Sequence, residues 1–109
     1  MLQFPKGFYF GSATSATQSE GASAIDGKGK NIWDIWFEQE PEKFHDRIGP
    51  KEASGFYTQY REDIRLLKET GHNSCRISIS WSRMFPTGDG ELNPLAAAHY
   101  HNVIDAFHE

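Results

Sequence analysis

The stretch Phe56–Trp81, FYTQYREDIRLLKETGHNSCRISISW, changes its hydrophobic period part-way along, and that change decides the fold class. Tyr57, Tyr60, Ile64 and Leu67 recur at helical spacing, while Gln59, Arg61, Glu62 and Lys68 take the other side. Ser54 stands where it can cap this helix, and Gly71 falls where a left-handed residue is expected to stop it. Past the glycine the period drops to two. Cys75, Ile77, Ile79 and Trp81 alternate with Arg76, Ser78 and Ser80, which predicts a strand.

Working outward, Phe8–Ala13 reads as a short buried strand running into the small residues Thr14 to Thr17. From about Ser19 to Ser54 no period is sustained, and Gly21, Gly27, Gly29, Pro41, Gly49 and Pro50 break the chain repeatedly. Only Asn31–Phe37 supports a helical turn or two, with Asn31 as its cap. A loop of that length is uncommon in a compact domain, so a structured excursion around a binding mouth is expected. Downstream, Pro86–Gly90 makes a turn, and Asn93-Pro94 supplies a cap followed by proline at the first helical position. Tyr100, Val103, Ile104 and Phe107 then mark the inner face of a second helix. The order strand, long loop, helix, strand, loop, helix implies an α/β fold with parallel strands and crossover helices. Two strands cannot complete a sheet, and Ala106–Glu109 are still in helical register. The expectation is a truncated chain or one that needs a partner, with apolar faces that favour self-association.

Composition narrows the function classes. The net charge is -4 and the eleven basic residues form no stripe, which argues against a nucleic-acid partner. No run approaches the roughly eighteen apolar residues of a membrane span. A single cysteine, Cys75, excludes an internal disulfide framework, and it reads as a small buried residue. The first residues lack the pattern of a secretory leader, so the expected location is cytoplasmic. Aromatic residues make up 14% of the chain, which suits either a core built on large side chains or a site that stacks rings on sugars.

Residues 8–22, FYFGSATSATQSEGA, resemble the amino-terminal motif of glycoside hydrolase family 1: spaced aromatics, small residues, then Gln or Asn, any residue, Glu, any residue and a small one. Thr17 departs from it, since the family usually has an aromatic, Asn or His there. Asn31-Ile32-Trp33-Asp34, Tyr60–Ile64 with Lys68–Gly71, Arg76–Pro86 and Gly88–Pro94 are similar to further family segments, in the right order. The resemblance implies a (β/α)8 barrel, which takes roughly 250 residues. Residues 1–109 would be a single incomplete domain supplying its first two βα units, with a long loop after the first strand. It also implies retaining hydrolysis of β-glucosides without a cofactor. Lys51–Tyr57 looks more like bacterial 6-phospho-β-glucosidases, which act on imported phosphorylated disaccharides.

Retaining hydrolysis needs two carboxyl groups roughly 5–5.5 Å apart. In the family these are glutamates at the ends of the fourth and seventh strands, which two βα units do not include. Glu38, Glu40 and Glu42 sit in a polar loop, Glu62 and Asp63 on a helix outside the barrel, and Glu20 lacks a carboxylate partner, so no catalytic residue is assigned. The resemblance gives two supporting roles. Gln18 would hold sugar hydroxyls, although a loop-capping glutamine has the same spacing. Arg76, on the Arg76/Ser78/Ser80 face, would be a buried cation beside the nucleophile, or else half of an ordinary ion pair. Trp33 suits either the mouth or the core. His45, His72, His99, His101 and His108 show no ligand spacing with Cys75, so no metal is expected. Gly27-Lys28-Gly29-Lys30 lacks the context of a phosphate loop. The leading reading is a β-glucosidase, with 6-phospho-β-glucosides as the expected substrates, whose activity belongs to a longer parent; a non-catalytic fragment that binds sugar or complements another chain is the alternative.

Overall fold

The computed structural model describes residues 1–109. Two strands, β1 (Gly11–Ala13) and β2 (Ser74–Arg76), pair in parallel with Gly11 opposite Ser74 and Ala13 opposite Arg76. Between them lie α1 (Ala16–Ser19), α2 (Ile32–Gln39), two 3₁₀ turns and α3 (Phe56–Glu69), and after them α4 (Trp81–Met84) and α5 (Pro94–His108). The alternation of strand and helix therefore stands as an α/β unit with a parallel pair. The first strand is shorter than Phe8–Ala13 because a side chain takes over its ladder. Asn73 Oδ1 accepts from the Phe10 amide at 2.6 Å and its Nδ2 donates to the Phe8 carbonyl at 3.0 Å. Phe8 and Phe10 are exposed rather than buried, forming an aromatic trio with Phe4 at centroid separations of 4.8–5.0 Å.

The second strand also ends early. Ala16 N donates to Ser78 Oγ at 2.8 Å, so β1 has already turned into α1 where a longer β2 would need a partner. Residues 77–80 stay outside the ladder, and Trp81 opens α4 instead of closing the strand.

Helix boundaries follow their local chemistry. Asn31 caps α2 by accepting from the Trp33 and Asp34 amides, while the Asp34 side chain accepts from the Asn31 amide to complete a capping box. Asn93 caps α5 through the Leu95 amide, and Pro94 fills its first position. The start of α3 differs from expectation. Gly55, at φ 70°, precedes the first helical residue, and exposed Ser54 makes no capping bond. At its other end Gly71 adopts φ 88°, with Gly71 N on the Lys68 carbonyl and His72 N on the Leu67 carbonyl, a Schellman stop.

The core is a seam between α3 and α5 under α4, built on Phe56, Tyr57, Ile64, Ala96, Tyr100, Val103 and Ala106. Ile104 is exposed and Phe107 half-buried, because the inner face they were assigned to opens into a cavity of about 380 Å³ shared with Leu67 and Ile77. Only 14 of 109 residues are buried, and the radius of gyration is 16.2 Å. A compact chain of this length would measure about 13 Å. The molecule is a slab of 54 × 34 × 21 Å whose broad faces remain open.

Candidate functional site

Both strands run in the same direction, so the segments that follow them meet at one end of the sheet. A cavity of about 730 Å³ opens there, walled by α1 on one side and by Ser78–Ser82 on the other. Its lining combines the amides of Gln18 and Asn31, the hydroxyls of Ser15, Ser78 and Ser80, and the rings of Trp33 and Trp81. Such a surface can hydrogen-bond a polyol and stack on its apolar faces, since an amide both donates and accepts. No carboxylate lies on this wall.

Gln18 is exposed on α1, and its Oε1 accepts from Ser15 Oγ at 2.6 Å. This bond joins two side chains and caps no backbone group, so it coexists with the cavity position, and the amide nitrogen donates to no protein group. Trp33 is 44% exposed and 5.6 Å from the Trp36 ring, which places it at the mouth rather than in the core. Trp81, which the sequence places in a strand's alternation and in the family-like segment Arg76–Pro86, has no site role assigned to it there. It stands 63% exposed on the opposite wall, held by Nε1 donating to the Gly88 carbonyl at 2.9 Å and by Phe85 at 4.6 Å. Its neighbouring turn, rich in glycine, was the available signal.

Arg76 is not the buried cation of this chain. It is exposed, and its Nη1 donates to the Thr14 carbonyl at 2.8 Å, because no element of the slab covers its face of the sheet. The buried cation is Arg83, 1% exposed. Its Nε donates to Glu20 Oε1 at 2.8 Å, its Nη2 to the Gly21 carbonyl at 2.7 Å, and its guanidinium lies 4.1 Å from the Tyr57 ring centroid. Glu20, 5% exposed, also accepts the Tyr100 hydroxyl proton on Oε2 at 2.7 Å. A second buried pair, Lys28 Nζ with Asp34 Oδ2 at 2.5 Å, fixes α2 to the preceding loop. The sequence pairs neither set of partners, because each joins residues that no local pattern connects.

The network perturbs its neighbours. Burial, and then donation to the Asp26 carboxylate, pushes the Tyr57 phenol well above its usual range; burial and then Glu20 do the same to Tyr100. Burial pushes the half-buried Cys75 thiol up, leaving it a poor nucleophile. His99 stacks on Tyr57 at 3.8 Å with no partner for its Nε2, and burial holds its pKa below the ordinary imidazole value. The unfolded chain therefore takes up this proton first as pH falls. The stability His99 contributes is whole above about pH 6.5 and is lost as pH drops below it. His99→Phe keeps the stacking and should flatten that part of the acid sensitivity. An unchanged fall in urea midpoint between about pH 7 and 5 for the variant would contradict this.

The whole chain, residues 1–109, matches the model of Glycosyl hydrolase family 1. The chain belongs to this family. Over 103 residues it is 62% identical to the 6-phospho-β-glucosidase GmuD of Bacillus subtilis (strain 168), covering 94% of this chain and 22% of that protein. Among solved structures, a rice β-glucosidase mutant in a covalent complex with glucose is 40% identical with a TM-score of 0.90, over 95% of this chain and 22% of that one. An aphid myrosinase is 39% identical with a TM-score of 0.92, over 96% of this chain and 23% of that one. The family 1 chain thus spans about a fifth of the length of these relatives. None of its helices is long and apolar enough to cross a membrane, and no three His, Cys, Asp or Glu side chains converge as metal ligands.

Proposed function

We propose that this chain is the first two βα units of a (β/α)8 barrel and forms one side of the sugar site of a retaining β-glycosidase acting on 6-phospho-β-glucosides. The observation that carries the reading is the 62% identity with a 6-phospho-β-glucosidase across 94% of the chain. The cavity beyond the strands' carboxyl ends agrees with it, since barrel enzymes build their sites at that face. In this reading Gln18 binds sugar hydroxyls through its unpartnered amide nitrogen. Arg76, exposed in this chain, stands beside the nucleophilic carboxylate of the complete barrel and keeps it ionised. The nucleophile and the acid/base both come from residues outside this chain, so the chain alone turns over nothing. The expected setting is the cytoplasm, where imported phosphorylated disaccharides are found. The open apolar faces of the slab favour the second reading, a fragment that associates with copies of itself or complements another chain.

The test is a chimera in which these residues replace the matching segment of the Bacillus subtilis enzyme. The chimera should hydrolyse 4-nitrophenyl β-glucoside 6-phosphate in preference to the unphosphorylated glucoside, and the isolated chain should hydrolyse neither. Gln18→Ala in the chimera should lower kcat/KM by about 10–100-fold, the loss of one or two hydrogen bonds to the sugar. A folded chimera without activity, or an active isolated chain, sinks the proposal.

A further inference from the structure

We infer that the buried Glu20 carboxylate is a positioning residue that fixes Gln18 against the Ser80–Trp81 wall of the cavity, an inference that rests on the cavity being the sugar site. The four residues of α1 cannot hold a helix by themselves, because so short a segment does not offset the cost of nucleation. Its N-cap, Ser15, makes no side-chain bond to the helix amides. Placement of Gln18 therefore depends on tertiary anchors at the two ends of α1. At the start, Ala16 N donates to Ser78 Oγ at 2.8 Å. The other end is Glu20, the C-cap, two residues beyond Gln18.

Four bonds converge on Glu20 and its neighbour. Arg83 Nε reaches Oε1 at 2.8 Å, and the Tyr100 hydroxyl reaches Oε2 at 2.7 Å. Tyr57 N donates to the Glu20 carbonyl at 3.0 Å, and Arg83 Nη2 to the Gly21 carbonyl at 2.7 Å. The Tyr100 oxygen in turn accepts from the Ser80 amide at 2.9 Å. A continuous path thus runs from the Gln18 wall through Glu20 and Tyr100 to the backbone of the facing wall. Glu20 is 5% exposed and does not line the cavity, so its influence on the sugar is indirect, and we assign it to Gln18 rather than to Ser80 at the far end of the path.

The chemistry requires a carboxylate. Only an ionised carboxyl accepts from Arg83 on one oxygen and from Tyr100 on the other while matching the buried guanidinium charge. The amide of a glutamine has one acceptor. Its NH2 group then meets either Arg83 Nε, donor against donor, or the Tyr100 hydroxyl, whose proton loses its acceptor and whose oxygen must take a second donor beside the Ser80 amide, so the path between the walls is disturbed at one end.

The experiment compares Glu20→Gln, Gln18→Ala and their double variant in the chimera, reading kcat/KM and thermal midpoint. Glu20→Gln is expected to lower kcat/KM about tenfold, and to cost less than about twofold more once Gln18 is already Ala. Tyr100→Phe, which cuts the same path and leaves the Glu20–Arg83 pair in place, should show the same dependence on Gln18 and decides the matter if Glu20→Gln does not fold. A merely structural Glu20 would lower activity by the same factor in both backgrounds. That result, or a folded Glu20→Gln variant with unchanged kcat/KM, overturns the inference while leaving the sugar-site reading intact. An unmutated chimera that folds and turns over no glucoside overturns both.

Discussion

Arg83→Met is expected to destabilise the folded chain by about 3–5 kcal/mol, the cost of removing one partner from a buried ion pair. The pair is nearly dry, with side-chain exposures of 2% for Arg83 and 6% for Glu20. Methionine fills much of the arginine stem's volume against Tyr57 but leaves the Glu20 carboxylate without a counter-charge and the Gly21 carbonyl without its donor. The urea midpoint of the 109-residue chain, followed by tryptophan fluorescence, measures the loss. The double variant Glu20→Met/Arg83→Met separates charge from packing. Because the desolvation of both ions disappears with them, the double variant should be more stable than Arg83→Met alone. A single variant within about 1 kcal/mol of the parent would mean that water reaches the pair despite its burial.

Gly21→Ala should be nearly as damaging, for a different reason. Gly21 sits at φ 68°, and a methyl group there would lie 2.1 Å from the Glu52 carbonyl oxygen. The left-handed conformation costs an L-residue about 1–2 kcal/mol. Relieving the clash against backbone adds about 1–3 kcal/mol. Gly71 is the control, since at φ 88° it has nothing within 4 Å of the added carbon. Gly71→Ala should therefore show only the conformational part, about 1–2 kcal/mol. Equal losses for the two variants, measured by the same urea titration, would refute the steric component. Gly21 also carries the carbonyl that Arg83 binds, so a backbone shift there should weaken the ion pair as well.

What could be read in advance was local. Asn31, Asn93-Pro94 and Gly71 act within one helical turn, so their residue types sufficed to place three helix ends. Ser54 misled because Gly55 takes a left-handed conformation and carries the chain into the helix without a side-chain cap. The alternation of Ile77 and Ile79 promised a longer strand, yet pairing depends on a partner, and β1 bends away after Ala13. Gln18 and Trp33 were found through motif and aromaticity, and both line the cavity. Trp81 and the Glu20–Arg83 pair were not, because residues on separate elements meet only once the chain is folded. An arginine within the apolar run Trp81–Pro86 was the one hint that a charge would be buried there.

The Phe10–Asn73 clamp beside the strand pair joins residues 63 positions apart. During synthesis at about 5–20 residues per second, β1 leaves the ribosome about 3–13 s before its partner does. Helices and short turns form in microseconds, so α2 and α3 have ample time to appear in that interval. Gly11–Ala13 and the Phe4/Phe8/Phe10 trio spend the same seconds with no ladder to join. For the nascent chain, that wait is the period in which holdase chaperones and neighbouring polypeptides compete for its first strand.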